Sequence, residues 1–263
     1  MDAREFRELV WERGHELYRE MPWRDEPTFY HVLVSELMLQ QTQVSRVLVK
    51  FTEFMNAFPS VDDLARASLA DVLKVWQGLG YNRRAKFLHQ AAKHIVTHDT
   101  PRSIEKLVEL PGVGRNTAAA IMNYVYELPS AYVETNIRTV YFKHFFSGAT
   151  VISDKELLVK VDETMDSEHP REWFWALMDY GASLKAQGEG RLDVSKHYKK
   201  QTPLKGSVRE VRGAILRELG ARDMTRDELM VVLDADERFS SAYDGLCRDG
   251  LIAETGGCSH LTK

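Results

Sequence analysis

Nine consecutive residues, Leu110-Pro-Gly-Val-Gly-Arg-Asn-Thr-Ala118, constrain this chain more than any other stretch. Before them Ile104, Leu107, Val108 and Leu110 recur at helical spacing, and after them Ala118 to Val125 form a second apolar run. Pro111 and Gly112 interrupt the first segment, and Gly114 is predicted to take a backbone turn that a side chain would block. Thr117 falls near the start of the second helix, where backbone N–H groups without intrahelical partners can face a phosphate. Gly112, Val113, Gly114 and Thr117 therefore suit a hairpin that holds a nucleic-acid backbone without reading its bases. By itself the stretch also leaves open an ordinary turn between two helices.

The residues around the hairpin read as helical for most of the chain. Phe6, Leu9, Val10 and Leu17 mark an amphipathic first helix; Pro27 opens another through Val32, Leu33, Leu37 and Met38. Val47, Leu48, Phe51, Phe54 and Met55 continue the period to Pro59. Residues 64–79 read as two short helices, and 85–95, 136–146, 155–165 and 173–184 as four more. From Ser195 the grammar changes. A basic cluster is followed by a helix face of Val208, Val211, Ile215 and Leu219, and by Thr225-Arg-Asp-Glu228, which has the pattern of a capping box. A third helix over 240–248 and a hairpin turning through Gly256 and Gly257 complete a pattern resembling a winged helix. The predicted class is all-α, with a domain over 1–205 and a small winged-helix-like domain over 206–263. The small domain is read as a DNA-binding or a protein-docking unit.

At 263 residues, 44% hydrophobic and 28% charged, the chain has ample material for a core, and it has no apolar run of membrane-spanning length and no signal-peptide pattern. A cytoplasmic protein without membrane contact is expected. A net charge of −4 argues against indiscriminate nucleic-acid binding, so contact with DNA must rest on local basic patches. Two such patches stand out: Arg83, Arg84 and Lys86, and the run containing Lys196, Lys199 and Lys200. Cys247 and Cys258 are too few to ligate a four-thiolate cluster, and a reducing compartment favours two free thiols over a disulfide.

Glu36 lies in His31-Val-Leu-Val-Ser-Glu-Leu-Met-Leu-Gln-Gln-Thr-Gln-Val44, a carboxylate among aliphatic neighbours. Desolvation there would raise its pKa and keep a proton available near neutral pH, as a general acid requires. A solvated or ion-paired helix position is the alternative for Glu36 taken alone. The segment Ser-Glu-Leu-Met-Leu-Gln-Gln-Thr-Gln-Val resembles the signature of MutY-type adenine DNA glycosylases of the helix-hairpin-helix superfamily. The resemblance extends in matching order to Met21-Pro-Trp-Arg24, Gly78-Leu-Gly-Tyr81 and Leu110 to Ala118, and spans roughly residues 5–185.

The resemblance implies a fold of two helical subdomains and a pocket that receives an extruded base from double-stranded DNA. In it Glu36 would protonate the adenine, while Trp23, Arg24, Asp179 and Asn116 would line the pocket. Gln41 and Tyr81 would enter the duplex near the lesion. It also implies a role for Glu134 and Asn136: the family's aspartate, which stabilises the positive sugar after bond cleavage, falls on Glu134, and Asn136 matches an asparagine that helps hold this region. The longer Glu134 side chain shifts its charge by about one methylene, and displacements on the order of 1 Å affect rates.

Other departures are informative. Bifunctional relatives place a Schiff-base lysine directly after the hairpin; Asn116 stands here, and its amide is not a usable amine nucleophile. A monofunctional glycosylase acting on adenine opposite guanine or 8-oxoguanine is therefore expected. The alternatives are a thymine or uracil mismatch glycosylase and a catalytically impaired protein that binds damaged DNA. Many relatives carry a four-cysteine iron–sulfur cluster after the catalytic domain, but residues 179–191 contain no cysteine. No cofactor is expected to be required, and a monovalent cation at the hairpin is optional. Lys196, Lys199 and Lys200 are expected to replace the missing metal loop in anchoring DNA. The last 58 residues do not resemble the 8-oxoguanine-recognition domain common in the family and are too short for it, so that domain is not expected here. A monomer is expected, associated with the nucleoid if bacterial.

Overall fold

Helix starts are written into the local sequence. Asp2 caps α1 (Ala3–Glu16) in a complete capping box with Glu5; Ser153 and Glu156 do the same for α11 (Asp154–Thr164), and Thr225 and Glu228 for α14 (Arg226–Val232). Ser60, Ser68 and Ser103 each accept a backbone N–H at the start of α5 (Val61–Arg66), α6 (Leu69–Trp76) and α8 (Ile104–Leu107). The computed structural model describes residues 1–149, 151–190, 195–196 and 203–263. They form two compact units, the first of Met1–Leu33, Pro101–Glu109 and Val113–Lys200, the second of Val34–Thr100, Leu110–Gly112 and Gln201–Lys263.

In the first unit α1 packs on α11 and on α12 (Pro170–Ala186), and α12 packs on α9 (Arg115–Tyr124) and α10 (Thr135–His144). Phe6, Tyr141, Trp173 and Phe174 are fully buried between these helices, each worth roughly 1.5–3 kcal/mol of burial. Helices α10 and α12 approach so closely at Gly181 that a Cβ there would lie 2.3 Å from the Asn136 carbonyl oxygen. The short α2 (Pro22–Asp25) is a single turn that buries Trp23 and Arg24. Helix α3 (Phe29–Leu39) begins in this unit and ends in the second.

The second unit contains α4 (Val44–Ala57), α5, α6 and α7 (Arg83–Thr97), closed around Phe54, Leu64 and Trp76. Its C-terminal part runs α13 (Val208–Ala221), β1 (Met224–Thr225), α14, α15 (Arg238–Arg248), β2 (Ile252–Thr255) and β3 (Cys258–Leu261). The antiparallel strands are ordered β1-β3-β2, and Gly256 and Gly257, both at positive φ, turn the β2–β3 hairpin. This is the winged-helix arrangement the sequence predicts, with β1 added; two residues are too few to show alternation. Helix α13 and strand β3 both pack on α6. Among the described residues no helix is long and apolar enough to cross a membrane.

Candidate functional site

The hairpin forms with one change of roles between its glycines. After the single turn of α8, Gly112 takes φ +81°, and a Cβ on it would lie 2.9 Å from Cβ of Phe87 and 3.2 Å from Leu37. Gly114, expected to occupy the turn that a side chain would block, instead has φ −90° and ψ 177°, with nothing within 4 Å of a built Cβ. Any residue can adopt that backbone; the constrained glycine is Gly112. Gly114 is the N-cap of α9 and supplies no side-chain acceptor, so the first N–H groups of that helix carry no side-chain cap. Val113 and Thr117 are buried, which limits their part in any outward contact largely to the main chain. The Gln40 amide donates to the Gly112 carbonyl at 3.3 Å.

In the first unit Glu134 is the N-cap of α10. Its Oε1 accepts from the backbone nitrogens of Asn136 at 2.6 Å and Ile137 at 3.1 Å. Burial pushes the Glu134 pKa up, against the opposing pull of those N–H groups and of the Lys185 ammonium. Lys185, which no motif in the sequence marks, donates to Oδ1 of Asn136 at 3.4 Å. Asn116 donates to the carbonyl of Val133 at 2.6 Å, so the first turn of α9 is tied to the residue preceding Glu134. Gly181 fixes the same region from α12, because its missing side chain is what lets the two backbones meet at Asn136. Glu134, Asn136, Asn116 and Lys185 are thus one neighbourhood.

Arg24 and Asp179 are also brought together, as each other's partners. The Asp179 side chain is fully buried, and Arg24 donates to its two oxygens at 2.7 and 3.0 Å. Arg19 adds its Nε at 2.7 Å and its backbone N–H at 3.1 Å. The Arg24 guanidinium also lies 5.2 Å from the Trp175 ring centroid and 5.4 Å from that of Tyr18. A solvated arginine and a surface acid are both ruled out for this pair. Arg19 and Trp175 escaped sequence reading, since nothing in their spacing marks them. Trp23 is buried beside Arg24 on α2.

In the second unit Glu36 is half-buried on α3, with Ser35, Leu37 and Met38 buried around it in sequence. Exposed Gln41 and half-buried Tyr81 share an unusual backbone, with φ +56° and +46°. The residue that joins their loops is Arg84. It was expected to bind phosphate, but it is 6% exposed and points inward. Its Nη1 donates to the carbonyls of Leu37, Met38 and Gln40 at 2.6–2.8 Å, and its Nη2 to Leu79, Gly80 and the Thr42 hydroxyl at 2.9–3.1 Å. Burial draws its pKa down to about 10, which leaves it charged at neutral pH. Its neighbours are engaged too: Lys86 donates to the Asp249 carbonyl at 2.7 Å, and Arg83 lies 3.6 Å from the Asp249 carboxylate. Lys196 is exposed, its backbone N–H on the carbonyl of Ile152; Lys199 and Lys200 lie outside the described residues.

The donor set does not fit an iron–sulfur cluster. The two cysteines are free thiols at the C-terminal end, on α15 and β3, and the described end of α12 and the turn after it offer no thiolate. Among the described residues no group of three or more His, Cys, Asp or Glu is placed to hold a metal ion.

Residues 34–164 match the family described as HhH-GPD superfamily base excision DNA repair protein. An adenine DNA glycosylase of Mycobacterium tuberculosis is 33% identical over 281 residues, covering 94% of this chain and 89% of that protein. Another, from Buchnera aphidicola, is 32% identical over 178 residues; these cover 66% of this chain and about half (51%) of that relative. A thermostable thymine-DNA glycosylase shares the fold, with a TM-score of 0.61 at 23% identity over 68% of this chain and 86% of that one.

Proposed function

Because the chain belongs to the HhH-GPD superfamily of base excision DNA repair proteins and is a DNA glycosylase of that repair route, we propose that it hydrolyses adenine from mispairs with guanine or 8-oxoguanine in double-stranded DNA. Glu36 donates its proton to a ring nitrogen of the extruded adenine, which leaves as the neutral base when the glycosidic bond breaks. Glu134 in its ionised form stabilises the oxocarbenium-like sugar. Water adds its oxygen to the anomeric carbon, and its proton passes to a carboxylate. The observation that carries this reading is Glu134: a carboxylate at a helix start, held by two N–H groups, with Asn136 and Lys185 beside it.

Asn116 offers no amine, so the reaction ends at the abasic site. Incubating abasic DNA with the protein and borohydride is expected to trap no covalent adduct; an adduct lost in Lys185→Ala would replace this reading with a lyase working through that amine. Lys196, Lys199 and Lys200 are assigned to phosphate anchoring in place of a metal loop. Neutralising them is expected to flatten the salt dependence of binding by about 0.9 in log–log slope per phosphate contact. No step needs a metal. A monovalent cation at the hairpin would meet backbone carbonyls, and at Gly112 it would compete with the long hydrogen bond from Gln40. The protein is assigned to act as a monomer.

The test is a panel of duplexes containing A:8-oxoG, A:G, T:G or U:G, with wild type compared to Glu36→Gln. Strand breaks after alkali at the adenine mispairs, absent in Glu36→Gln, support the assignment. Breaks only at T:G or U:G would move it to pyrimidine mismatches, and none at all would leave a damage-binding protein.

A further inference from the structure

Tyr81 combines a costly backbone with a crowded side chain. A non-glycine residue at φ +46° is strained and persists only where its surroundings hold it. Arg84 holds the main chain on either side, through the carbonyls of Leu79 and Gly80 and its own helix start. The side chain is held from elsewhere. Arg209, in the first turn of α13, donates from Nη1 to the Tyr81 hydroxyl at 2.5 Å, and its Cζ lies 5.0 Å from the Tyr81 ring centroid. Arg84 lies 5.6 Å from the same centroid, so two guanidinium groups face one ring within cation–π range.

The helix that carries Arg209 is itself locked to the segment that follows Tyr81. Arg212, one turn along α13, pairs with Asp249 at 2.5 Å. That same residue takes Arg83 on its carboxylate at 3.6 Å and Lys86 on its carbonyl at 2.7 Å. Residues 81–86, 209–212 and 249 therefore form one interlocked cluster, and it lies wholly in the second unit.

The winged-helix part is poorly equipped to grip phosphates on its own. Residues 203–263 carry nine Lys and Arg against eleven Asp and Glu. Arg238, at the start of α15, is tied to Asp236 and Glu210, and Arg226 sits 3.6 Å from Asp244. A net negative charge and those internal pairings weaken the attraction of this part for DNA. What this part does offer the site is contact through Arg209.

We propose that Arg209 is a positioning residue: it orients the Tyr81 ring before DNA arrives, and through it the C-terminal elements set how well the protein distinguishes a mispaired duplex from a matched one. The proposal rests on the DNA reading above, in which Tyr81 enters the duplex. Fixing an aromatic side chain in advance removes an ordering cost from binding. It leaves the stacking of the ring against a base to act in full.

The experiment uses the full chain and measures the affinity for A:8-oxoG and A:G duplexes relative to a matched duplex. Arg209→Ala is expected to lower that ratio about fivefold, the coupling typical of contacting side chains, with little change in thermal stability. In a Tyr81→Ala background the same substitution is expected to do nothing further, because its effect runs through the ring. Tyr81→Phe removes only the hydroxyl that Arg209 holds and is expected to lower the ratio in the same sense, a check that needs no change on α13. An unchanged ratio in both Arg209→Ala and Tyr81→Phe overturns the proposal. So does an additive loss in the double variant with the salt slope reduced by about one, the signature of a phosphate contact. If wild type shows no preference for the mispairs, the DNA reading fails and this proposal with it. A preference intact in wild type and in both variants overturns this proposal alone.

Discussion

Oε1 of Glu134 sits 2.6 Å from the backbone nitrogen of Asn136, so the carboxylate assigned to the sugar also caps the helix that follows it. The cap folds the side chain back onto its own backbone, with Oε1 on the nitrogens of Asn136 and Ile137. The positive end of α10 favours the ionised form, burial opposes it, and the balance leaves the pKa raised.

That balance has a sign that can be measured. A carboxylate with a raised pKa binds its proton more readily in the folded chain than in the unfolded one. Its contribution to stability is complete below the ordinary glutamate pKa and is lost as pH rises through the elevated value. Glu134→Gln keeps an oxygen for the cap and has no charge to lose. Its melting temperature relative to wild type is expected to climb as pH rises from the ordinary glutamate range through the elevated value. Excision should fall by a factor on the order of a hundred in the same variant, since the ionised group is the one that works. A relative melting temperature that falls with pH would mean the carboxylate is stabilised, not strained, in its charged form.

The same assignment separates charge from length. Glu134→Asp retains both a good N-cap and the negative charge. Its single-turnover rate on an adenine mispair is expected to stay within about tenfold of wild type, against the far larger loss in Glu134→Gln. Equal losses in the two would show that position, not charge, decides.

Asp179 is an integral part of the fold as well as a pocket candidate. Asp179→Asn leaves the Arg24 guanidinium buried without its counter-charge, and Arg19 loses its partner too. A loss of about 3–5 kcal/mol in urea unfolding is expected. A loss below about 1 kcal/mol would show that the pair contributes little beyond hydrogen bonding.

The two hairpin glycines should respond to different degrees. Gly112→Ala meets a positive φ and a 2.9 Å contact with Phe87, and is expected to destabilise by roughly 1–3 kcal/mol. Gly114→Ala meets neither obstacle and loses only the preference of an N-cap for glycine over alanine, a cost of about 1 kcal/mol or less. Its expected cost lies in DNA binding, weakened about tenfold by a methyl group where the duplex backbone approaches. Comparable melting losses in the two variants would contradict the geometry.

Arg84→Met tests the inward-facing guanidinium. The substitution takes the guanidinium donor from the buried carbonyls of Leu37 and Met38, while the Leu79 carbonyl keeps the Thr42 hydroxyl at 3.3 Å; the expected cost in unfolding free energy is on the order of 1–3 kcal/mol per stranded group. Arg84→Lys is not expected to rescue it, because one ammonium cannot reach acceptors from two loops at once. Near wild-type stability for Arg84→Lys would argue that charge alone suffices there.

These cases show what the amino-acid order discloses. Capping boxes, the apolar period of α13 and the Gly256-Gly257 turn are local signals, legible because each is complete within a few residues. Arg84 was opaque for the opposite reason. Asn82-Arg-Arg-Ala-Lys86 looks like a basic surface, and the acceptors that draw Arg84 inward are main-chain carbonyls at the end of α3, some forty residues away, and just before Tyr81, which leave no trace in side-chain identity. Arg19 on Asp179, Lys185 near Glu134 and Arg209 on Tyr81 are likewise products of tertiary approach. Glu36 and Glu134 were visible only because their neighbours in sequence resemble a known pattern.

Gly181 draws a line between two kinds of tolerance in this chain. At Glu134 a flexible side chain has torsions of its own, and it uses them to bring Oε1 onto the backbone nitrogens of Asn136 and Ile137. At residue 181 the neighbour is the main chain of Asn136 itself, 2.3 Å from where any Cβ would stand, and a backbone has no torsion to yield without moving a whole helix. The carboxylate can therefore adjust by rotation, while the spacing that presents it cannot vary by a single carbon.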